Sequence, residues 1–151
     1  MEVLDGDDVR RLLSRDLGYS RADREEHVRR VGWVADLLSR SGVVAVCAVI
    51  APYAEGRQEV RVRHGDRFFE VYLSAPPEAC AERDVKGLYA RQRAGTLRGL
   101  TGVDDPYEPP ENADLVLPTH LETVDQSLER LWVAVAARLD GLGRLGRLGS
   151  R

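Results

Sequence analysis

Lysine is almost missing from this chain: of its 22 cationic residues 21 are arginine, and Lys86 is the exception. Such a bias is most simply one of coding, so the exception is more informative than the rule. Cysteine is scarce as well. Cys47 in an apolar run and Cys80 in a helix-like stretch match neither metal-ligand spacing nor a disulfide framework, and they read as buried or partly buried reduced thiols. No apolar run approaches the roughly 20 residues needed to span a bilayer. The longest is Val43 to Ala51, and the acidic N-terminus lacks the basic start of a secretory signal, so the expected location is cytoplasmic, with no membrane partner. A formal net charge of -3 removes any general electrostatic drive toward nucleic acid or anionic lipid.

What is present fits one domain of 151 residues with an ordinary soluble composition, 43% hydrophobic and 31% charged. Glu2 to Leu4 reads as the end of a buried strand that delivers Asp5 and Asp7 to a loop. Ser20 is a helix N-cap, with Asp23, Glu25 and Glu26 loading the first turn and Val28, Val31, Val34, Ala35 and Leu38 at helical spacing until Gly42. Val43 to Ile50 is apolar on both alternating faces, which predicts a parallel strand covered on each side. A polar helix follows from Ala54 to Arg63, then a strand from Phe68 to Leu73, and Pro76-Pro77 opens a short helix through Arg83. Residues 84–112 are punctuated by glycine and proline and read as a lid or a disordered stretch. Asp114 to Leu117 is a fourth strand. Thr123-x-x-Gln126 is a capping box before a helix whose buried face would be Val124, Leu128, Leu131, Val135 and Leu139. The domain is expected over 1–140, and the tail 141–151, with its GLGRLGR repetition, is expected to be disordered. Alternating strands and helices predict an α/β fold, a parallel sheet with helices on both faces and ligands beyond the carboxyl ends of its strands.

Several segments at those ends, taken in order, carry more. Leu4-Asp5-Gly6-Asp7-Asp8-Val9-Arg10, Asp16-Leu17-Gly18-Tyr19-Ser20, Ala22-Asp23-Arg24-Glu25, Ile50-Ala51-Pro52-Tyr53, Asp84-Val85-Lys86-Gly87-Leu88-Tyr89 and Gly99-Leu100-Thr101-Gly102 together closely resemble the adenylylsulfate kinases over about residues 3 to 139. The resemblance implies a P-loop nucleoside-kinase-like three-layer fold. It also implies transfer of the ATP γ-phosphoryl group, with Mg²⁺, to the 3′-hydroxyl of adenylylsulfate. Asp7 is then expected to orient or deprotonate that hydroxyl, Asp5 to join the Mg²⁺ shell, and Lys86 to follow the moving phosphate from the lid. Arg10 and Arg24 match the family positions that hold the phosphosulfate, and Tyr19 matches an aromatic that stacks on adenine. Ile50, Ala51, Pro52, Leu100 and Thr101 match further substrate-side positions.

The departures from the family pattern are as specific. Leu100 stands where a Phe is usual, so one side of the adenine sandwich lacks a ring. Ala51 replaces the usual serine, which excludes a phosphoenzyme at that position, and Ala54 replaces a basic residue. His27 stands in place of an Asn and is expected to replace its amide donor toward substrate, with a pH dependence the Asn lacks.

The sequence contains no G-x-x-x-x-G-K-[ST], the turn whose backbone N–H groups and lysine hold ATP phosphates. In the family that turn follows a mid-sheet strand placed before the segment that opens here. The strands at Val43–Ile50 and Phe68–Leu73 are therefore expected to be neighbours of a missing central strand, each with an unpaired edge. Three readings are open: an N-terminally truncated kinase, a non-catalytic adenylylsulfate-binding protein, and an inactive fragment or a subunit completed by a partner. The chain as written is expected to show negligible ATP-dependent turnover. A homodimer, or fusion to or association with an ATP sulfurylase, is the expected kind of protein partner.

Overall fold

A computed structural model describes residues 1–143. Its elements run β1 (Glu2–Asp5), α1 (Gly6–Leu13), α2 (Arg21–Arg40), β2 (Ala45–Ala48), α3 (Ala54–His64), β3 (Val71–Leu73), α4 (Pro77–Arg83), α5 (Leu88–Arg93), β4 (Leu115–Leu117) and α6 (Val124–Gly141). The chain divides into two compact units. The first comprises Met1–Phe68 and Lys86–Pro109, and the second comprises Phe69–Val85 and the chain from Pro110 onward.

In the first unit β1 and β2 pair in parallel, Glu2 opposite Ala45 and Asp5 opposite Ala48. The crossover between them holds α2, which begins where Ser20 and Asp23 form a reciprocal capping box. Val28, Val31 and Ala35, on one stripe of α2, are buried together with Val9 and Tyr53. Helix α3 approaches α2 so closely that a Cβ on Gly32 would stand 2.7 Å from Val60 Cγ2. The buried His64 ring reaches back to the Gly32 carbonyl with Nε2 at 3.0 Å. Gly42, at φ +84, turns the chain out of α2 as expected.

The second unit pairs β3 and β4 in parallel, Val71 opposite Leu115 and Leu73 opposite Leu117. Pro77 sits in the first turn of α4, and Thr123 and Gln126 form the expected capping box of α6. Helix α6 packs on β4.

Four expectations need correction. The strand expected over Val43–Ile50 is shorter, and Val46 is 43% exposed with Cys47 exposed beside it, because β2 has one strand neighbour and α2 as its packed helix. Apolar protein around the sulfur still pushes the Cys47 thiol up to about 11. Of the apolar face expected on α6, Leu139 alone is buried, whereas Val124 and Leu128 stand open. Residues 84–112 are not bare loop, since α5 and a bridge between Thr101 and Asp105 lie within them. The expected tail does not start at Gly141, which closes α6, and its residues 144–151 lie outside the described ones. Among the described residues β2 and β3 do not pair with each other. No described helix is long and apolar enough to cross a membrane.

Candidate active site

The site is built in the first unit, at the carboxyl ends of β1 and β2. Asp5 closes β1 and caps α1. Its Oδ1 accepts from the backbone N–H of Asp7 at 2.9 Å and of Asp8 at 3.2 Å, which uses two donors the helix start would otherwise leave open. Gly6 is required at this turn: a Cβ there would meet the Ala48 carbonyl at 3.0 Å and Val49 Cγ1 at 3.2 Å. Asp7, in the first turn of α1, points out to solvent, and Lys86 Nζ donates to its Oδ2. The lysine holds the Asp7 carboxyl below the usual carboxylate range, by the hydrogen bond first and by its charge second. Asp7 raises Lys86 for the same two reasons. Asp7 is therefore ionised at neutral pH and a weak base, suited to aligning a hydroxyl.

The arginines are anchored before any ligand arrives. Arg10 Nη1 donates to the Gly18 carbonyl at 2.8 Å, which brings its guanidinium to 4.8 Å from the centre of the Tyr19 ring. Arg24 is buried in a nest of oxygens: Nε donates to Tyr19 O at 2.8 Å, Nη1 to Thr101 Oγ1 at 2.7 Å and Nη2 to Gly99 O at 2.6 Å. A guanidinium carries five N–H donors, so two remain, one on each Nη, without a hydrogen-bond partner among the described residues. Arg24, expected from the resemblance to hold the phosphosulfate, here fastens the Gly99–Thr101 turn and the Tyr19 carbonyl to α2.

His27, expected to stand in for an amide donor toward substrate, is buried, with Nδ1 3.1 Å from Oγ of the equally buried Ser14, the C-cap of α1. Burial, and then the charges of Arg10 and Arg30, depress its pKa and favour the neutral ring. Nε2 makes no hydrogen bond among the described residues.

Ile50 is 65% exposed at the mouth of β2, and Ala51 follows at φ +43, a left-handed conformation that costs a non-glycine residue roughly 1–2 kcal/mol. Arg57, on α3, holds it there by donating Nη1 to the Ala51 carbonyl at 2.8 Å and Nη2 to the Glu108 carbonyl at 2.6 Å. Pro52 is buried, and its carbonyl accepts from Glu108 N at 2.8 Å. Opposite, Asp104 collects the backbone N–H of Gly99 at 2.9 Å and of Leu100 at 2.6 Å, bonds that lower its carboxyl, the Gly99 one most. They fix the turn that presents Leu100 and Thr101.

Asp5, Asp7 and Lys86 thus form one group, and Arg10, Tyr19, Arg24, Leu100 and Thr101 a second. Sequence reasoning missed Ser14, Arg57, Asp104 and Asp105. The signal for the last two was present: they are the first acids after the acid-free run Lys86 to Val103.

A carboxylate in the first helical turn after a strand, paired with a lysine, two anchored arginines and an exposed aromatic, on a parallel α/β scaffold, define a nucleotide-handling phosphotransferase. Comparison with known proteins makes this specific. The Adenylylsulphate kinase family profile matches residues 1–118. The chain is 52% identical over 132 residues to the probable adenylyl-sulfate kinase of Synechocystis, covering 87% of this chain and 74% of that one. It is 50% identical over 132 residues to the adenylyl-sulfate kinase of Microcystis aeruginosa, covering 87% and 72%. The structure of the Mycobacterium tuberculosis APS kinase CysC in complex with AMPPNP and APS superposes with a TM-score of 0.83 at 42% identity, over 89% of this chain and 79% of that one. A hexameric APS kinase from Thiobacillus denitrificans gives 0.64 at 30% identity, over 95% of this chain and 23% of that one. The chain belongs to the adenylylsulfate kinase family, a family of kinases, and its α/β fold is theirs.

Proposed function

We propose that residues 1–140 act as one adenylylsulfate kinase-like domain that transfers the γ-phosphoryl group of ATP to the 3′-hydroxyl of adenylylsulfate, giving ADP and 3′-phosphoadenylylsulfate. The observation that carries this is the meeting of Asp7 and Lys86, separated by 79 positions in the chain, at the carboxyl end of β1. In this reading Asp7, ionised, aligns the ribose hydroxyl, and Lys86 leaves it to follow the transferring phosphoryl. Arg10 and the two free N–H groups of Arg24 hold the phosphosulfate, while Tyr19 and Leu100 enclose the adenine. Ala51 offers no hydroxyl, so no phosphoenzyme forms at that position.

Mg²⁺ fits the residues present as an ion carried chiefly by nucleotide phosphates and water. Asp5 has one carboxylate oxygen committed to its helix cap and the other left for one bond, and the described residues hold no group of three or more potential ligands. When bound with ATP, Mg²⁺ neutralises phosphate charge during transfer. A cytoplasmic site of action and self-association, or association with an ATP sulfurylase, complete the reading, and the hexameric relative supports self-association.

A second reading, adenylylsulfate binding without transfer, is favoured by one observation: the 151 residues contain no G-x-x-x-x-G-K-[ST] turn. Titrating the purified chain with adenylylsulfate in a calorimeter, then assaying 3′-phosphoadenylylsulfate formation with ATP and Mg²⁺, separates the two. Product formation supports the kinase, binding alone supports the second reading, and no binding defeats both.

A further inference from the structure

Two buried side chains of the substrate region converge on one carboxylate oxygen. Tyr53, 2% exposed, donates its hydroxyl to Asp105 Oδ2 at 3.0 Å, and Arg24, 9% exposed, brings Nε to 3.5 Å from the same oxygen. Asp105 is itself held in place. Its N–H donates to the Leu100 carbonyl at 3.2 Å, its own carbonyl accepts from Gly102 N at 2.7 Å, and it bridges Thr101. The carboxylate therefore joins three segments that are far apart in sequence: the Ala51–Tyr53 arm, the first turn of α2 and the Leu100–Thr101 turn. The family resemblance assigns it no role.

We infer that Asp105 is a positioning residue for the phosphosulfate of adenylylsulfate, acting through Arg24 and Tyr53. This rests on the adenylylsulfate reading of the same site. The physical case is one of direction. Arg24 Nε spends its single proton on Tyr19 O, so Asp105 acts on the guanidinium by charge at 3.5 Å and not as a competing acceptor. That attraction sets the rotation of the planar fork, and with it the aim of the two N–H groups that have no protein partner. On its other side the same oxygen binds the Tyr53 hydroxyl. Burial first, and then this bond, push the Tyr53 phenol up, so it remains a donor across the working pH range. Tyr53 in turn ends the segment in which Ala51 is held at φ +43, so one carboxylate sets both the fork and the arm opposite it.

The test uses the full chain, adenylylsulfate as the calorimetric ligand and thermal melting alongside. Asp105→Asn keeps the shape and removes the charge; its Kd is expected to rise about tenfold, and Tyr53→Phe to raise it about threefold. Action through Arg24 has its own signature. In an Arg24→Lys background, Asp105→Asn is expected to add less than about twofold, because the fork it aims is already gone. A staple with no part in binding would lower the melting temperature in each variant and leave Kd unchanged.

Unchanged Kd in Asp105→Asn overturns this inference and leaves the adenylylsulfate reading intact. A full additional loss in the Arg24→Lys background overturns it too. Should Asp105→Asn fail to fold, Tyr53→Phe decides, since unchanged binding there removes the proposed anchor. If the unaltered chain does not bind adenylylsulfate, both this inference and the reading beneath it fall.

Discussion

Replacing Arg24 by lysine keeps one positive charge at a buried position and removes the planar fork. In the structure that fork makes three hydrogen bonds of 2.6 to 2.8 Å, to Tyr19 O, Thr101 Oγ1 and Gly99 O, and pairs with Asp105. A lysine Nζ reaches one or two of these oxygens, so about two charge-assisted bonds are lost, each worth about 1.5–3 kcal/mol before any rearrangement. With partial rebonding, the net cost is about 2–4 kcal/mol. For a chain of this size that lowers the melting temperature by roughly 4–16 °C. Binding is a separate quantity. Loss of a two-point grip on the phosphosulfate, at about 2–3 kcal/mol, weakens adenylylsulfate roughly 30–150-fold. Differential scanning fluorimetry reads the first number, and calorimetry well below the melting temperature reads the second. A melting shift below about 2 °C would refute the clamp. A melting shift of the expected size with Kd changed less than about threefold would refute the substrate role and leave a purely structural arginine.

Leu100→Phe restores a ring opposite Tyr19 without disturbing the backbone bond from Leu100 N to Asp104, and should tighten adenylylsulfate about 2–13-fold; weaker binding in a calorimeter would exclude that sandwich. Lys86→Met removes an ion pair that is exposed on both sides and worth about 0–1 kcal/mol, so melting should shift by no more than about 4 °C. Phosphoryl transfer, where a fixed cation meets developing charge, should fall about 100–1000-fold, and an unchanged turnover would remove Lys86 from the chemistry. The pair's contribution to stability is present above the ordinary Asp value and below the ordinary Lys value. It is lost as pH falls through the lowered Asp7 pKa or rises through the raised Lys86 pKa. His27 has the opposite acid behaviour to a paired histidine. Its pKa is depressed, so the unfolded chain binds the proton first and stability declines as pH falls below about 6.5, levelling once the folded ring is protonated too. Urea titrations at pH about 7.5 and about 5 should show that decline in the unaltered chain and a smaller one in His27→Asn; equal declines would mean the ring does not titrate as placed.

Local signals in the sequence translated well into structure because the chemistry that decides them is local. Ser20 with Asp23, Thr123 with Gln126, and Pro77 after Pro76 each satisfy or dispense with backbone donors within a single turn, so the residue pattern is sufficient. Burial was less legible. The run Val43–Ile50 and the stripe Val124, Leu128 and Leu139 have patterns that ask for cover, yet Val46, Val124 and Leu128 are exposed. A hydrophobic pattern records what a segment can bury, whereas the area it does bury depends on which elements stand against it.

The site divides along the same line. Asp5, Asp7, Arg10 and Tyr19 lie close together near the start of the sequence, where the family resemblance singled them out. The partners that give each residue its direction lie elsewhere: Lys86 for Asp7, Gly99 and Thr101 for Arg24, Ser14 for His27, Asp105 for Tyr53. These long-range contacts decide the chemistry, because they determine which donors and charges are already spent. Arg24 read as a free fork would bring five donors to a ligand; anchored, it brings two, aimed by its neighbours. An arginine with its remaining donors fixed loses less entropy on binding than one free to rotate. The buried clamp that uses three of Arg24's donors would thus also favour the proposed grip on a doubly anionic phosphosulfate, because the remaining two are already aimed.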